Sequence, residues 1–118
     1  MYAVEFALGD LVLKFDNSWG AEFPTLQCFA LPTVSIGQHD YTSDERDWTY
    51  ALRSLVANEV TATFESSGSG LRIELQSATI TLRPTASEVR GPEIAMLRAG
   101  PGDWMVWRAG EEAFEYLG

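Results

Sequence analysis

The sequence predicts a single α+β domain: a strongly twisted antiparallel β-sheet, or a partly closed β-barrel, of eight or nine strands with one amphipathic helix packed on it. Three observations predict this fold. Apolar and polar residues alternate in many short segments, which is typical of half-buried strands. A helical stripe of apolar residues occurs once, within residues 44–57. The links between segments are mostly tight, and tight links favour antiparallel neighbours because a parallel crossover needs about a dozen residues or more.

The first part of the chain consists of strand-like segments punctuated by glycine and proline. Residues 2–7 and 11–16 alternate in polarity on either side of a Gly-Asp turn and are predicted to form a hairpin. Residues 25–30 follow as a third strand between two prolines. Residues 33–36 and 38–41, separated by a glycine, are either a strand pair or one kinked strand.

The helix is predicted over residues 44–57 and is packed against the sheet by one face. Thr42 and Glu45 have the spacing of a capping box, in which a hydroxyl and a carboxylate satisfy the first backbone N–H groups. Asn58 is the predicted left-handed stop. The apolar residues recur at helical spacing and form a single stripe: Trp48, Ala51, Leu52, Leu55 and Val56.

Alternation is clearer in the second part of the chain. Strands are predicted at residues 60–65, 71–75 and 79–83, and a further hairpin pairs residues 94–98 with residues 104–108. Because side chains of successive strand residues point to opposite faces, the polar set should lie together on the solvent side. The residues expected on that outer face are Thr61, Thr63, Arg72, Glu74 and Thr81.

The charge balance excludes several classes of partner. Seventeen acidic residues face eight basic ones, which gives a formal net charge of −9. A nucleic-acid-binding protein needs cations that displace counterions from phosphates, so we expect no nucleic acid partner. Anionic membrane surfaces are disfavoured for the same reason, and no apolar run approaches the ~20 residues of a membrane-spanning helix. An acidic chain favours a basic partner.

Cysteine content and the first residues point to a compartment. With one cysteine, Cys28, no internal disulfide can form. The first five residues lack the basic and apolar regions of a signal peptide. We therefore expect a cytoplasmic protein.

Four stretches carry a resemblance to known proteins: ALRSLV at residues 51–56 running into Val60, LRIEL at 71–75, GPEIA at 91–95 and WMVW at 104–107. In these stretches the chain resembles a family of small bacterial proteins with no assigned function, over roughly its last two-thirds. The resemblance implies a bacterial protein and brings no catalytic residues. In size and acidity the chain is also similar to immunity proteins of bacterial toxin systems.

Reactive side chains are few. A zinc site needs three or four ligands from cysteine, histidine or carboxylates, and the chain has one cysteine and one histidine, so we expect no metal and no cofactor. A nucleophilic Cys28 activated by His39 is the best enzyme candidate, because neighbouring strands could bring the two together. Asp40 would point away from His39 on a regular strand and could not orient it. We therefore predict no catalytic residues.

The candidate interface lies in the last predicted strand. If Trp104 and Val106 face the core, then Met105 and Trp107 lie on the other face, which is usually polar in a soluble sheet. Such an apolar pair must be covered either by residues 114–117 or by another chain. Because tryptophan and methionine are enriched in interfaces, we predict that Met105 and Trp107 form the centre of a protein contact.

Three functions follow from these observations. The first is a small acidic non-enzymatic protein-binding module, of immunity or inhibitor type, that binds a protein partner or a second copy of itself. The second is a small-molecule-binding β-barrel with an aromatic cavity, in which Trp19 would close one end. The third is an enzyme that uses Cys28 and His39.

Overall fold

The residues that the structure describes fold into two antiparallel sheets and one short helix. The computed structural model describes residues 1, 3–7, 10–15, 24–66, 70–85, 88–89, 91–100 and 103–108. The first sheet has the strand order β1-β2-β3-β9-β10, with β1 Ala3–Ala7, β2 Asp10–Lys14, β3 Thr25–Cys28, β9 Glu93–Gly100 and β10 Asp103–Arg108. The second has the order β5-β4-β8-β7-β6, with β4 Thr33–Ile36, β5 His39–Tyr41, β6 Val60–Ser66, β7 Gly70–Leu75 and β8 Ala78–Leu82. The helix α1 is Trp48–Ser54.

The α+β class and the antiparallel pairing predicted from the sequence are confirmed. The predicted barrel and the count of eight or nine strands are wrong, because the described residues form ten strands in two sheets that do not close on each other. The chain leaves the first sheet at the end of β3. There the N–H groups of Phe29 and Ala30 both donate to the carbonyl oxygen of Ile94, at 2.9 and 3.2 Å. The chain then enters the second sheet after Pro32, which has no N–H to offer a ladder.

The tenth strand comes from residues 33–41, for which the sequence allows either a strand pair or one kinked strand. Residues 33–41 form a strand pair, in which Ile36 of β4 lies opposite His39 of β5. Gly37 turns the chain between them with a φ of 61°, a backbone conformation that glycine adopts without steric cost. A two-residue connection of this kind is a common β-hairpin turn.

One hydrophobic core joins the two sheets and the helix. In the first sheet the fully buried leucines of β2 and β3 lie in register, with Leu13 opposite Leu26. In the second sheet Val34 pairs with Ile80, and both are buried. The helix adds Trp48, Ala51 and Leu52, followed by Leu55, so four of the five residues in the predicted stripe are buried. Val56, the fifth residue of that stripe, is 40% exposed.

The helix is shorter than the predicted 44–57. The backbone N–H of Glu45 donates to the carbonyl oxygen of Thr42 at 3.0 Å, and the carboxylate of Glu45 accepts the N–H of Thr42 at 3.4 Å. These bonds close a turn before the helix, which begins at Trp48. The left-handed residue is Ala57, with a φ of 81°, rather than Asn58. Its N–H donates to the carbonyl oxygen of Met1 at 2.7 Å, a tertiary bond that sequence patterns do not reveal.

The helix is also tied to the segment between the sheets. The indole Nε1 of Trp48 donates a buried hydrogen bond of 2.9 Å to the carbonyl oxygen of Pro32. No helix in the described part of the chain is long and apolar enough to cross a membrane.

The outer face of the second sheet is only partly the predicted one. Arg72 and Thr81 lie opposite each other, next to Phe64 of β6, and Arg72 is exposed as predicted. Thr63 is also exposed as predicted, although the register pairs it with the buried Ile73 rather than with Arg72. The register of the β6–β7 pair therefore puts Phe64 on the solvent side, where a threonine was expected.

Candidate functional site

The two residues of the enzyme hypothesis lie in different sheets. Cys28 is fully buried in β3, where Leu11 and Ala95 flank it on the neighbouring strands. Burial raises the pKa of its thiol to about 12, with a smaller contribution from the carboxylate of Asp10. Because a thiolate is the reactive form, this environment keeps Cys28 unreactive. His39 is exposed in β5, and the structure does not bring the pair together.

His39 instead belongs to a small polar cluster at the surface. Its Nε2 lies 3.1 Å from Oε2 of Glu45. This hydrogen bond, with a further one from the N–H of Thr42, lowers the pKa of Glu45. The carboxylate of Asp40 accepts a 2.7 Å hydrogen bond from the hydroxyl of Ser35, so Asp40 does not orient the imidazole. The cluster stabilises the β4–β5 hairpin and the turn that follows it.

Trp107 lies in the core rather than on an outer face. It pairs with Ala95, which in turn pairs with Cys28, so all three belong to the inner face of the first sheet. Its side chain is 5% exposed, whereas Val106, expected in the core, is half-buried. The predicted facing of Trp107 and Val106 is therefore wrong.

The backbone of Met105 pairs with Leu97, but its side chain is not among those that the structure describes. Residues 114–117 and Trp19 also lie outside the described residues. The protein contact centred on Met105 and Trp107 stays a prediction, and the burial of Trp107 within its own chain does not favour it.

An exposed aromatic residue lies on the second sheet instead. Phe64, in the middle of β6, is 46% exposed, and Val60 at the start of the same strand is 39% exposed. The guanidinium carbon of Arg72 lies 4.7 Å from the centre of the Phe64 ring. That distance is within the range of a cation–π contact, which holds the ring in place without burying it. We call Val60, Phe64 and Arg72, with the outer edge of β6, the β6 surface.

A groove of about 590 Å³ runs beside Phe64 on the same face. Arg72 and Arg83 line it, together with the backbone of Gly70. Gly70 has a φ of 71°, and a Cβ atom built on it would lie 2.3 Å from the carbonyl oxygen of Leu82 and 3.1 Å from Cβ of Arg83. Only glycine fits this close approach of β7 to β8.

Among the described residues, β6 is the longest of the four edge strands. β5 has three residues, and β10 has register shifts near both ends. The helix packs against β1, where the rings of Trp48 and Phe6 lie 6.0 Å apart at a steep angle. β6 has seven residues with one register shift near its start, and within the described ranges no strand pairs with its outer side. Long exposed edge strands present backbone donors and acceptors to another chain.

A second cleft, of about 420 Å³, separates the helix from β4 and β5. Its lining combines the rings of Tyr41 and Tyr50 with the apolar side chains of Ile36 and Ala51 and with Asp47. Tyr50 is 77% exposed, and the centre of the His39 ring lies 4.1 Å from the centre of the Tyr41 ring. The cleft is therefore open, aromatic and acidic at one side.

Sequence reasoning missed Phe64 because alternation separates two faces without saying which is buried. One signal could have found it. Three residues separate Ser66 from Gly70, and a hairpin closed by that pair places Phe64 opposite Arg72. Since Arg72 is expected outside, Phe64 has to lie outside as well.

No protein-family model, no curated protein and no solved structure matches the chain. The resemblance to small bacterial proteins therefore stays a prediction.

Proposed function

We propose that the chain is a non-enzymatic protein-binding module, and that an extended segment of a partner protein adds to the outer edge of β6. The observation that carries the proposal is Phe64, a large aromatic side chain that is 46% exposed at the middle of an edge strand. Aromatic residues are enriched at protein contacts and often dominate their energy.

Strand addition fits the shape of this edge. A segment that pairs with β6 makes backbone hydrogen bonds along the strand, and its alternate side chains meet the exposed groups on either face. Phe64 and Val60 supply apolar contact area, and the adjoining groove of about 590 Å³ has room for side chains of the added segment.

A different protein suits this edge better than a second copy of the chain. Two copies would each carry a formal net charge of −9, and their mutual repulsion opposes association. If a second copy added its own β6 strand to this edge, that strand would bring one charged side chain, Glu65, to Arg72 and Arg83. The immunity or inhibitor role predicted from the sequence is the case in which the bound protein is a toxin or an enzyme.

A displayed library of short random peptides tests the proposal. Selected peptides should shift the backbone amide resonances of residues 60–66 in the isotope-labelled chain. Phe64→Ser should weaken their binding at least about tenfold, as expected for a central aromatic contact. Tyr50→Ser is the matched control, because Tyr50 is also exposed but lies on the helix, and it should leave binding unchanged.

Two outcomes would overturn the proposal. Selected peptides that shift only the first sheet or the tyrosine cleft would place the binding site elsewhere. Sedimentation that finds a dimer, which Phe64→Ser converts to monomer, would make a second copy the occupant of β6.

The cleft between α1 and β4–β5 supports a second candidate function, the binding of a small aromatic ligand. Tyr41 of β5 and Tyr50 of α1 both line one open space of about 420 Å³. A thermal-shift screen with phenols and indoles should raise the melting temperature by mass action, and Tyr50→Ala should abolish the rise. A flat screen, or a rise that Tyr50→Ala leaves intact, would reject this cleft as the site.

A further inference from the structure

The groove beside Phe64 is basic on a strongly acidic chain. The chain has eight arginines and lysines against seventeen acids, yet Arg72 and Arg83 both line this one groove, and Glu65 is the one acid among its described lining residues. The side chains of the described lining thus carry more positive than negative charge, on a chain whose net charge is −9, although Glu74 lies beside Arg72.

Strand register, continued one residue past β8, places Arg72 and Arg83 on one face. Arg72 of β7 lies opposite Thr81 of β8, and Arg83 follows Thr81 by two residues. Residues two apart on a strand point to the same side, and diagonal neighbours on adjacent strands lie about 7–8 Å apart. Both arginines line the same groove, so their long side chains can reach one anionic group bound in it.

Within the described residues, Arg72 contacts the exposed Phe64 ring and Glu74, and both contacts lie at the surface. Nη2 of Arg72 lies 3.4 Å from Oε1 of Glu74, and both side chains are well exposed, so the pair is weak. Among the described residues, no carboxylate forms an ion pair with Arg83. Both can therefore bind an incoming anion without breaking a buried contact.

We propose that Arg72 and Arg83 bind a carboxylate side chain of the extended segment that adds to β6, so that the partner is acidic at this position. This inference rests on the proposed function and names the chemistry of its partner. A glutamate or aspartate on the face of the added strand that meets the groove presents two oxygens to planar guanidinium donors, which match carboxylate geometry. The hydroxyl of Thr81, in the same row as Arg72, supplies a further donor.

The partner chemistry differs from what the net charge alone favours. The formal charge of −9 acts at long range and favours basic partners, but salt screens exposed charges beyond about 8–10 Å. Once a segment lies against β6, the nearest charges are those of the groove, and these determine which side chains it binds. Specificity for an acidic segment thus comes from local donors rather than from the field of the whole chain.

Two acetylated peptides test the inference. Both alternate threonine and valine, and they differ only at the centre, where one has glutamate and the other glutamine. Nuclear magnetic resonance titration of the full chain gives both dissociation constants and follows the Nε–H resonances of Arg72 and Arg83. The glutamate peptide should bind about fivefold more tightly than the glutamine peptide, which is the size of effect expected for exposed charge pairs. It should also shift both Nε–H resonances.

Matched double variants supply the control. Arg72→Gln with Arg83→Gln should remove the difference between the peptides, whereas Arg46→Gln with Arg98→Gln changes the net charge equally, outside the groove, and should retain it. If both peptides shift the β6 amides with equal affinity and the Nε–H resonances stay in place, the carboxylate site is wrong and the proposed function stands. If neither peptide shifts the β6 amides, strand addition at β6 is wrong as well.

Discussion

The guanidinium carbon of Arg72 lies 4.7 Å from the centre of the Phe64 ring, on the solvent side of the second sheet. Cross-strand neighbours of this kind form one of the pairwise contacts that stabilise an antiparallel sheet. The contact keeps a large apolar ring ordered at the surface, and an ordered ring loses less conformational entropy when another chain covers it.

Replacing Phe64 with serine should leave the fold nearly intact. The ring is 46% exposed, so its loss should lower the free energy of unfolding by about 1 kcal/mol or less, the size of an exposed cation–π contact. Ile73→Ala, on the neighbouring strand and 5% exposed, should cost about 2–5 kcal/mol. Urea unfolding of both variants gives these values. Equal losses would mean that the β6–β7 register is wrong.

Leu52 tests the buried face of the helix. Its side chain is fully buried, so Leu52→Ala should cost about 2–5 kcal/mol by leaving a cavity. Val56 belongs to the same predicted stripe but is 40% exposed, and Val56→Ala should cost less than about 1 kcal/mol. Denaturant melts that rank the two variants the other way would contradict the helix orientation.

Gly70 and Gly37 separate two costs of a side chain at positive φ. Gly37→Ala meets no atom within 4 Å and should pay only the backbone cost of about 1–2 kcal/mol. Gly70→Ala adds the clash with the carbonyl oxygen of Leu82 at 2.3 Å, so it should lose clearly more stability and distort β7 against β8. Calorimetric melting temperatures compare the two variants. A smaller loss for Gly70→Ala would contradict the tight approach of these strands.

Cys28 links stability to alkaline pH. Burial, reinforced by the nearby Asp10 carboxylate, raises the pKa of the Cys28 thiol from 9.0 to about 12. Between those values the unfolded chain releases a proton that the folded chain keeps, so stability should fall as pH rises above about 9. Cys28→Ala should show a shallower decline in denaturant midpoint over the same range. Equal slopes, or rapid iodoacetamide labelling of the native chain at pH 8, would contradict a fully buried thiol.

Local patterns predicted the strands and the buried helix stripe well. Trp48 and Leu52 are buried as predicted, because the spacing of apolar residues is enough to identify the side of a helix that faces the core. The break into two sheets was not predictable in the same way, since it depends on pairings between distant segments, such as β3 with β9 and β4 with β8. Such long-range pairing leaves no periodic trace in the sequence.

The candidate site was predicted poorly for a related reason. Period-two alternation in residues 104–107 left two equivalent choices of face, and the choice that put Trp107 outside was wrong. The same ambiguity hid Phe64. In both cases the register to a neighbouring strand decides the outcome, and a shift of one residue exchanges the two faces.

The most direct test of strand addition is amide hydrogen exchange over residues 60–66, with and without a peptide selected for binding. The account predicts that the outward-facing amides of β6, which exchange freely in the isolated chain, become strongly protected in alternate positions when the peptide is bound. The amides at the opposite edge of the same sheet, in His39–Tyr41, should exchange at unchanged rates. Protection that appears at residues 39–41 or in the first sheet, with β6 still exchanging freely, would contradict the account.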